Sequence, residues 1–121
     1  MAMTTVQLTS VSQLRQQLIA QMSMEEEKLY SPQIQAKFEN SSDLNAKLRF
    51  VNSRNNYSAK LANFRNAILE AIASQLQTLE PELDKALKEL DDQLKDLENV
   101  VGILNTINTV TSIIAKIVTF I

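Results

Sequence analysis

Residues 100–121, VVGILNTINTVTSIIAKIVTFI, decide how this chain is interpreted, because they are largely apolar and carry a single charge, Lys116. Counting Gly102, fourteen of these 22 residues are apolar and eight are polar. The polar residues recur with helical spacing, so the stretch predicts an amphipathic helix rather than a strand, and it is too polar for a lone membrane span. The predicted polar side consists of Asn105, Asn108, Thr109, Ser112, Lys116 and Thr119.

An apolar heptad row leads into this stretch. From Leu83 to Leu104 the apolar residues follow one another in alternating steps of four and three, the spacing of a coiled coil. Beyond Leu104 two successive steps of three shift the row, which indicates either a locally overwound coil or a single buried Asn108. The whole row, called the C-terminal seam below, is predicted to be an interaction surface. It consists of Leu83, Leu87, Leu90, Leu94, Leu97, Val101, Leu104, Ile107, Val110, Ile114, Ile117 and Ile121.

The composition predicts an all-α fold. The chain of 121 residues has one glycine and two prolines, too few for the turns of a β fold, and its length suits one domain over 1–121. We expect an antiparallel bundle of three to five helices, with a long C-terminal helix of about 40 residues having coiled-coil-like heptads. Breaks are expected near 31–32 and 39–43, residues 1–8 are expected to be flexible, and 52–56 is either a turn or an exposed part of a helix. A break is favoured near 79–81, although the leucines keep helical spacing through Pro81, as they would in a kinked continuous helix.

The apolar side of residues 100–121 needs a cover, because its many β-branched residues make it a poor helix alone and prone to aggregate. Apolar residues upstream, between Phe38 and Ile72, can pack on it within the same chain. A second copy or a partner helix can instead pack along the C-terminal seam. Lipid is the third possible cover, because a wide apolar side opposite Ser, Thr and Asn resembles helices that enter bilayers.

Charge is unevenly distributed along the chain. The net charge of −2 argues against an electrostatic partner for the chain as a whole, nucleic acid included. Residues 41–79 carry five bases and two acids, whereas residues 80–99 carry three bases and eight acids. In a hairpin folded at Pro81 these two blocks would not face each other. We therefore expect them to meet between molecules that are staggered head to tail.

No pattern indicates a catalytic, cofactor or metal site. The chain contains no cysteine and no histidine, which excludes disulfides and thiolate or imidazole ligands. The acids between Asp91 and Glu98 are interpreted as a solvated helix face, because helical di-metal sites add histidine. The bases and aromatics that alternate between Lys47 and Arg65 are interpreted as a core with a solvated rim rather than a nucleic-acid surface.

These patterns predict a non-enzymatic structural or protein-interaction bundle that self-associates, or binds a partner helix, through the C-terminal seam. The alternative is a membrane-active protein, lipid-binding or pore-forming, that inserts residues 100–121. The N-terminal sequence lacks the basic start and continuous apolar run of a secretory signal. We therefore expect a cytoplasmic protein, or one exported without a cleaved signal of that type.

Overall fold

The computed structural model of the chain describes residues 5–40, 43–96 and 99–118, with side chains from Gln7 onward. Every regular element in these residues is an α-helix, which confirms the all-α prediction. The helices are α1 (Thr5–Leu29), α2 (Pro32–Glu39), α3 (Leu44–Asn66), α4 (Leu69–Lys95) and α5 (Val100–Val118).

Polar caps start the second and third helices. The Ser31 hydroxyl accepts a hydrogen bond from the Ile34 backbone N–H at 3.4 Å, and Pro32 takes the first helical position, where its missing N–H is not needed. At the start of α3 the Asp43 carboxylate accepts a hydrogen bond from the Asn45 backbone N–H at 2.9 Å. Both caps lie where the sequence predicts a break.

α1, α3, α4 and α5 form a four-helix bundle, and the short α2 lies against α1 and α3. α5 packs against α3 and α4, and α1 packs against the same two helices. Around the bundle the helices therefore follow the order α1, α3, α5, α4. α3 and α4 are consecutive in the chain but lie diagonally opposite each other. α5, which contains residues 100–118 of the apolar C-terminal stretch, is thus in contact with two other helices of the same chain.

Two neighbouring pairs of helices run in the same direction, which differs from a wholly antiparallel packing. The Arg15 guanidinium in α1 donates to the Ala67 carbonyl just before α4, at 2.7 Å, and Lys28 near the end of α1 contacts Asp91 near the end of α4. α1 and α4 are therefore parallel. α3 and α5 are also parallel, because the last residues of both helices line one groove, whereas α4 and α5 form an antiparallel pair.

Aromatic rings from α2 and α3 occupy the part of the core that adjoins α1. The rings of Phe38 and Phe50 stack with their centroids 4.0 Å apart. Tyr57 is fully buried, and its hydroxyl donates a hydrogen bond of 2.6 Å to the Met22 carbonyl of α1. Because a buried hydroxyl without a partner would be costly, this bond fixes how α3 sits on α1.

Pro81 does not end a helix, so the break predicted at 79–81 is wrong. Pro81 lies inside α4 on its exposed side. A proline inside a helix removes one backbone hydrogen bond and costs about 3 kcal/mol. Leu76 and Leu83 on either side of it are fully buried, and burial of two leucines contributes about as much or more. Tertiary packing therefore carries the helix through the proline.

The C-terminal region is two helices, so the prediction of one helix of about 40 residues is wrong. Residues 96–99 separate α4 from α5, and Asp96 is extended with φ −126° and ψ 97°. This bend lets α5 fold back along α4 and bury its apolar side. A second turn, not predicted, is made by Ala67 and Ile68, which are extended between α3 and α4. Residues 52–56 remain within α3.

The hydroxyl of Tyr57 can be tested by removing it alone. Tyr57→Phe should lower the free energy of unfolding by about 1 kcal/mol, because it deletes a buried hydrogen bond and keeps the ring. Urea unfolding followed by circular dichroism measures the change. The control is Tyr30→Phe, since Tyr30 is 41% exposed and the hydrogen bond of its hydroxyl to Ser58 is exposed to solvent. Equal losses in the two variants would contradict the role assigned to the buried bond.

Candidate interaction site

α5 is amphipathic, as the sequence predicts. Its apolar side packs on α3 and α4 and its polar side is exposed. Because Asn108 is exposed, the shift of the apolar row beyond Leu104 comes from the new start of α5, and neither a buried asparagine nor an overwound coil is needed. Thr119 lies outside the described residues. The exposed residues of the predicted polar side are Asn105, Asn108, Thr109, Ser112 and Lys116.

The C-terminal seam lies inside the bundle. Val101 is its one described residue that is exposed, at 59%. Leu97 and Ile121 lie outside the described residues. The seam is therefore the core of this folded form, and its role in binding another molecule stays a prediction. The buried residues of the seam are Leu83, Leu87, Leu90, Leu94, Leu104, Ile107, Val110, Ile114 and Ile117.

The threonines of α5 satisfy their hydroxyls within the helix itself. Thr106, Thr109 and Thr111 donate to the carbonyls four residues earlier, at distances of 2.9, 3.0 and 2.8 Å. Thr106 and Thr111 are buried, so these bonds remove the desolvation penalty that a free hydroxyl would carry. By length and composition α5 could cross a membrane, with a mean hydropathy of 1.5 and half of that window buried in the bundle.

The connection between α4 and α5 is short and is closed by a side-chain cap. The Asn99 side-chain oxygen accepts a hydrogen bond from the Gly102 backbone N–H at 2.9 Å. A methyl group on Gly102 would lie 2.5 Å from the Asn99 amide nitrogen, so the glycine makes room for this cap. Residues 96–99 contain neither glycine nor proline. The bend is thus held by a cap and by packing, not by residues that prevent a helix.

An exposed aliphatic row on α3 was not identified as a surface from the sequence. Leu44, Leu48 and Val51, called the α3 stripe below, are 66%, 55% and 42% exposed. Their spacing of four and three places them on one side of a helix, but this spacing does not tell whether that side is buried or exposed. The buried residues of the same helix, among them Phe50 and Tyr57, lie on its opposite side. Projecting both rows on one helix would have separated them.

One buried carboxylate lies between α1 and α4. Glu25 is 1% exposed, its Oε1 lies 3.5 Å from Lys28 Nζ, and its Oε2 has no hydrogen-bond partner. Lys28 also pairs with Asp91, which in turn accepts from Lys95 at 3.2 Å. Burial, followed by the hydrogen bond to Asp91, raises the pKa of Glu25 to about 7. The hydrogen bond from Lys28 lowers the pKa of Asp91 below its usual range.

This cluster does not resemble a metal site. Within the described ranges, no three His, Cys, Asp or Glu side chains lie close enough together to hold a metal ion. Lys28 and Lys95 already neutralise Asp91, and Glu98 of the predicted acidic face lies outside the described residues. The cluster is a contact between α1 and α4 whose strength depends on the protonation of Glu25.

Protonation of Glu25 should make the stability depend on pH. The folded state binds this proton more tightly than the unfolded chain, because the pKa is about 7 when folded and 4.5 otherwise. Its stabilising contribution is full below pH 4.5 and is lost as the pH rises to about 7. Glu25→Gln, which stays neutral, should raise the free energy of unfolding at alkaline pH by about 1–3 kcal/mol relative to the unchanged chain.

Urea unfolding at acid, neutral and alkaline pH measures this dependence. At pH 4.5 and below, Glu25→Gln and the unchanged chain should have nearly the same stability. The control is Glu27→Gln, since Glu27 is on the same helix and is exposed. The assignment is refuted by a Glu25→Gln variant whose stability follows the pH in parallel with the unchanged chain.

Comparison with known protein families, curated proteins and solved structures finds no match to this chain. No site residue can therefore be transferred from a relative. The interaction surfaces described above rest on the helices, their burial and their charges alone.

Proposed function

We propose that this protein is a non-enzymatic helical bundle that self-associates through α5. The observation that carries the proposal is the position of α5, whose apolar side is covered by α3 and α4 and which joins α4 through four residues. A second copy has the same two helices and offers α5 the same cover. The contacts of α5 in an exchanged dimer are therefore those it makes within one chain.

The sequence of the connection is compatible with such an exchange. Residues 96–99 contain no helix breaker, and the steps of the C-terminal seam continue through them. If these residues become helical, α4 and α5 form one straight helix and α5 leaves its own bundle. The exposed apolar side then needs a cover, which the bundle of a second copy supplies. The closed and exchanged forms would therefore differ mainly in the backbone conformation of the connection between α4 and α5.

A proline at the first position of α5 should keep the protein monomeric. Val100→Pro fits the bent form, because the first helical N–H has no partner within its helix. In a straight α4–α5 helix the same proline would be internal and would cost about 3 kcal/mol. Light scattering at several protein concentrations should show dimers of the unchanged chain and fewer dimers of Val100→Pro.

The matched control is Leu69→Pro, which places a proline at the first position of α4. Leu69, like Val100, is partly buried against the core. This variant should dimerise as the unchanged chain does, because its bend at 96–99 is unaltered. Asn99→Ala removes the cap on Gly102 and should increase the dimer fraction. A chain that remains monomeric at every concentration would overturn the proposal.

A second function, insertion of α5 into a membrane, is favoured by the composition of this helix. α5 has the length and hydropathy of a span and no acidic residue. Its threonine hydroxyls are bonded within the helix, so those bonds remain if α5 leaves the bundle. The exposed polar side would then face other copies or a water-filled space, which agrees with a pore-forming oligomer.

A tryptophan reporter tests insertion, since the chain contains no tryptophan. Ile113→Trp places the reporter at the edge of the apolar side of α5, where Ile113 is 6% exposed, and Glu89→Trp places it on the exposed side of α4 as the control. Quenching by lipids brominated deep in the acyl chain should affect the α5 reporter alone if α5 inserts. Equal or absent quenching of the two reporters in the presence of vesicles would exclude insertion.

A further inference from the structure

The bundle separates positive from negative charge. α3 carries five bases and no acid, and α5 carries one base and no acid. α4 carries seven acids and three bases. Because α3 and α5 are neighbours, one side of the molecule contains no carboxylate from either of its helices. The net charge of −2 is therefore the sum of a basic side, formed by α3 and α5, and of an excess of acidic residues in the rest of the chain.

The bases of α3 are not neutralised by acids of the bundle. In the part of the chain that the structure describes, the ion pairs involve Lys28, Lys88 and Lys95, all on α1 or α4. Arg54 donates to the neutral Gln35 at 3.1 Å, and its buried Nε has no hydrogen-bond partner. Arg65 donates to the hydroxyl of a serine on α1. Arg54 also lies over the rings of Tyr30 and Phe50, so its charge is engaged within the bundle. Lys47 and Arg49 form no ion pair among the described residues, although Glu39 of α2 lines the same groove as Lys47, and these two bases are therefore available to an external anion.

The α3 stripe adds exposed aliphatic surface to this charge. Leu44, Leu48 and Val51 occupy the first half of α3, where Lys47 and Arg49 flank them. Since α3 and α5 are parallel, the exposed Val101 at the start of α5 lies at the same end of the bundle. Aliphatic residues flanked by bases on one helix are the pattern of helices that lie at a membrane surface.

We propose that the first half of α3 docks on an anionic lipid surface. Leu44, Leu48 and Val51 enter the boundary between headgroups and acyl chains, and Lys47 and Arg49 bind lipid phosphates at the level of the headgroups. The bundle stays closed in this contact, because the stripe is already exposed. The docking is therefore independent of α5 exchange and of α5 insertion.

The position of the aromatic rings argues against a nucleic acid as the occupant of this surface. Binding of single strands relies on exposed aromatic side chains for base stacking. Phe50, Tyr57 and Phe64 are at most 3% exposed and lie in the core. A nucleic acid whose phosphates bound the bases of α3 would also leave the α3 stripe exposed to water, whereas a lipid surface would cover it.

A second copy of the chain is also a poorer occupant. Its acidic α4 would complement the charge of α3, as the uneven charge along the sequence predicts. However, none of the large apolar side chains that are exposed among the described residues belongs to α4. Such a contact would pair charges and leave the α3 stripe without an apolar counterpart.

Vesicle flotation of the full chain tests the docking. The probes are vesicles of phosphatidylcholine alone and of an equal mixture with phosphatidylglycerol. The protein should float with the anionic vesicles only, and added sodium chloride should reduce the bound fraction. Leu48→Ser should weaken binding roughly tenfold, because it removes the central aliphatic residue of the stripe. Lys47→Gln/Arg49→Gln should weaken binding roughly thirtyfold, given the attraction of each base to an anionic surface.

Matched controls change the same chemistry on the opposite side of the bundle. Met24→Ser removes an apolar residue of α1 that is 55% exposed, as Leu48 is. Lys85→Gln/Lys88→Gln removes two exposed bases of α4. Both controls should bind vesicles as the unchanged chain does, and circular dichroism should show that all four variants remain folded.

Several results would overturn the proposal. They are equal binding to neutral and anionic vesicles, equal loss in the α3 variants and their controls, or no vesicle binding at all. Binding of single-stranded DNA that is lost in the α3 variants, without vesicle binding, would assign the surface to nucleic acid instead. A salt-sensitive dimer that Lys47→Gln/Arg49→Gln abolishes, again without vesicle binding, would assign it to a second copy.

Discussion

The apolar side of α5 has to be covered, and this requirement determines how the other helices are arranged. α5 is rich in β-branched residues and would be a poor helix by itself. Ile103, Ile107 and Val110 are fully buried because α3 and α4 pack on them. Two short turns, at 67–68 and 96–99, bring those helices to α5 from both sides. Packing of α5 therefore stabilises the bundle and the helicity of α5 together.

Fold class and helix caps could be predicted from the sequence, whereas the bends could not. Ser31 and Asp43 cap helices by accepting hydrogen bonds from backbone N–H groups two or three residues later, so these helix starts can be recognised in the sequence. Pro81 is a local signal that tertiary packing overrides, since the leucines on both sides of it are buried. The bend at 96–99 has no proline or glycine to mark it. It is held by the Asn99 cap and by the antiparallel packing of α5 on α4, and the packing exists only in the three-dimensional fold.

Prediction of the candidate interaction site from the sequence is limited in a similar way. Apolar spacing identifies residues that need a cover but does not say which molecule supplies it. Thus the C-terminal seam was expected on a surface and most of it lies in the core of the same chain. Leu44 and Leu48 show the reverse case, because they continue an apolar pattern and yet lie exposed. The core of the bundle is lined by one side of each helix. The opposite side of α3, which carries Leu44 and Leu48, therefore stays outside it.

The separation of charge implies that pH and the proposed membrane surface would act on different parts of the bundle. Glu25 lies in the contact of α1 with α4, so acidification changes that contact first. α3 and α5 contain no acid and no histidine, and histidine is the side chain whose ordinary change of charge falls between about pH 5 and 8. A change of pH in that range therefore does not release α5 through a group of its own. In the proposed exchange and the proposed insertion, release of α5 would therefore come from the connection between α4 and α5, or from a second bundle or bilayer that competes for the apolar side of α5.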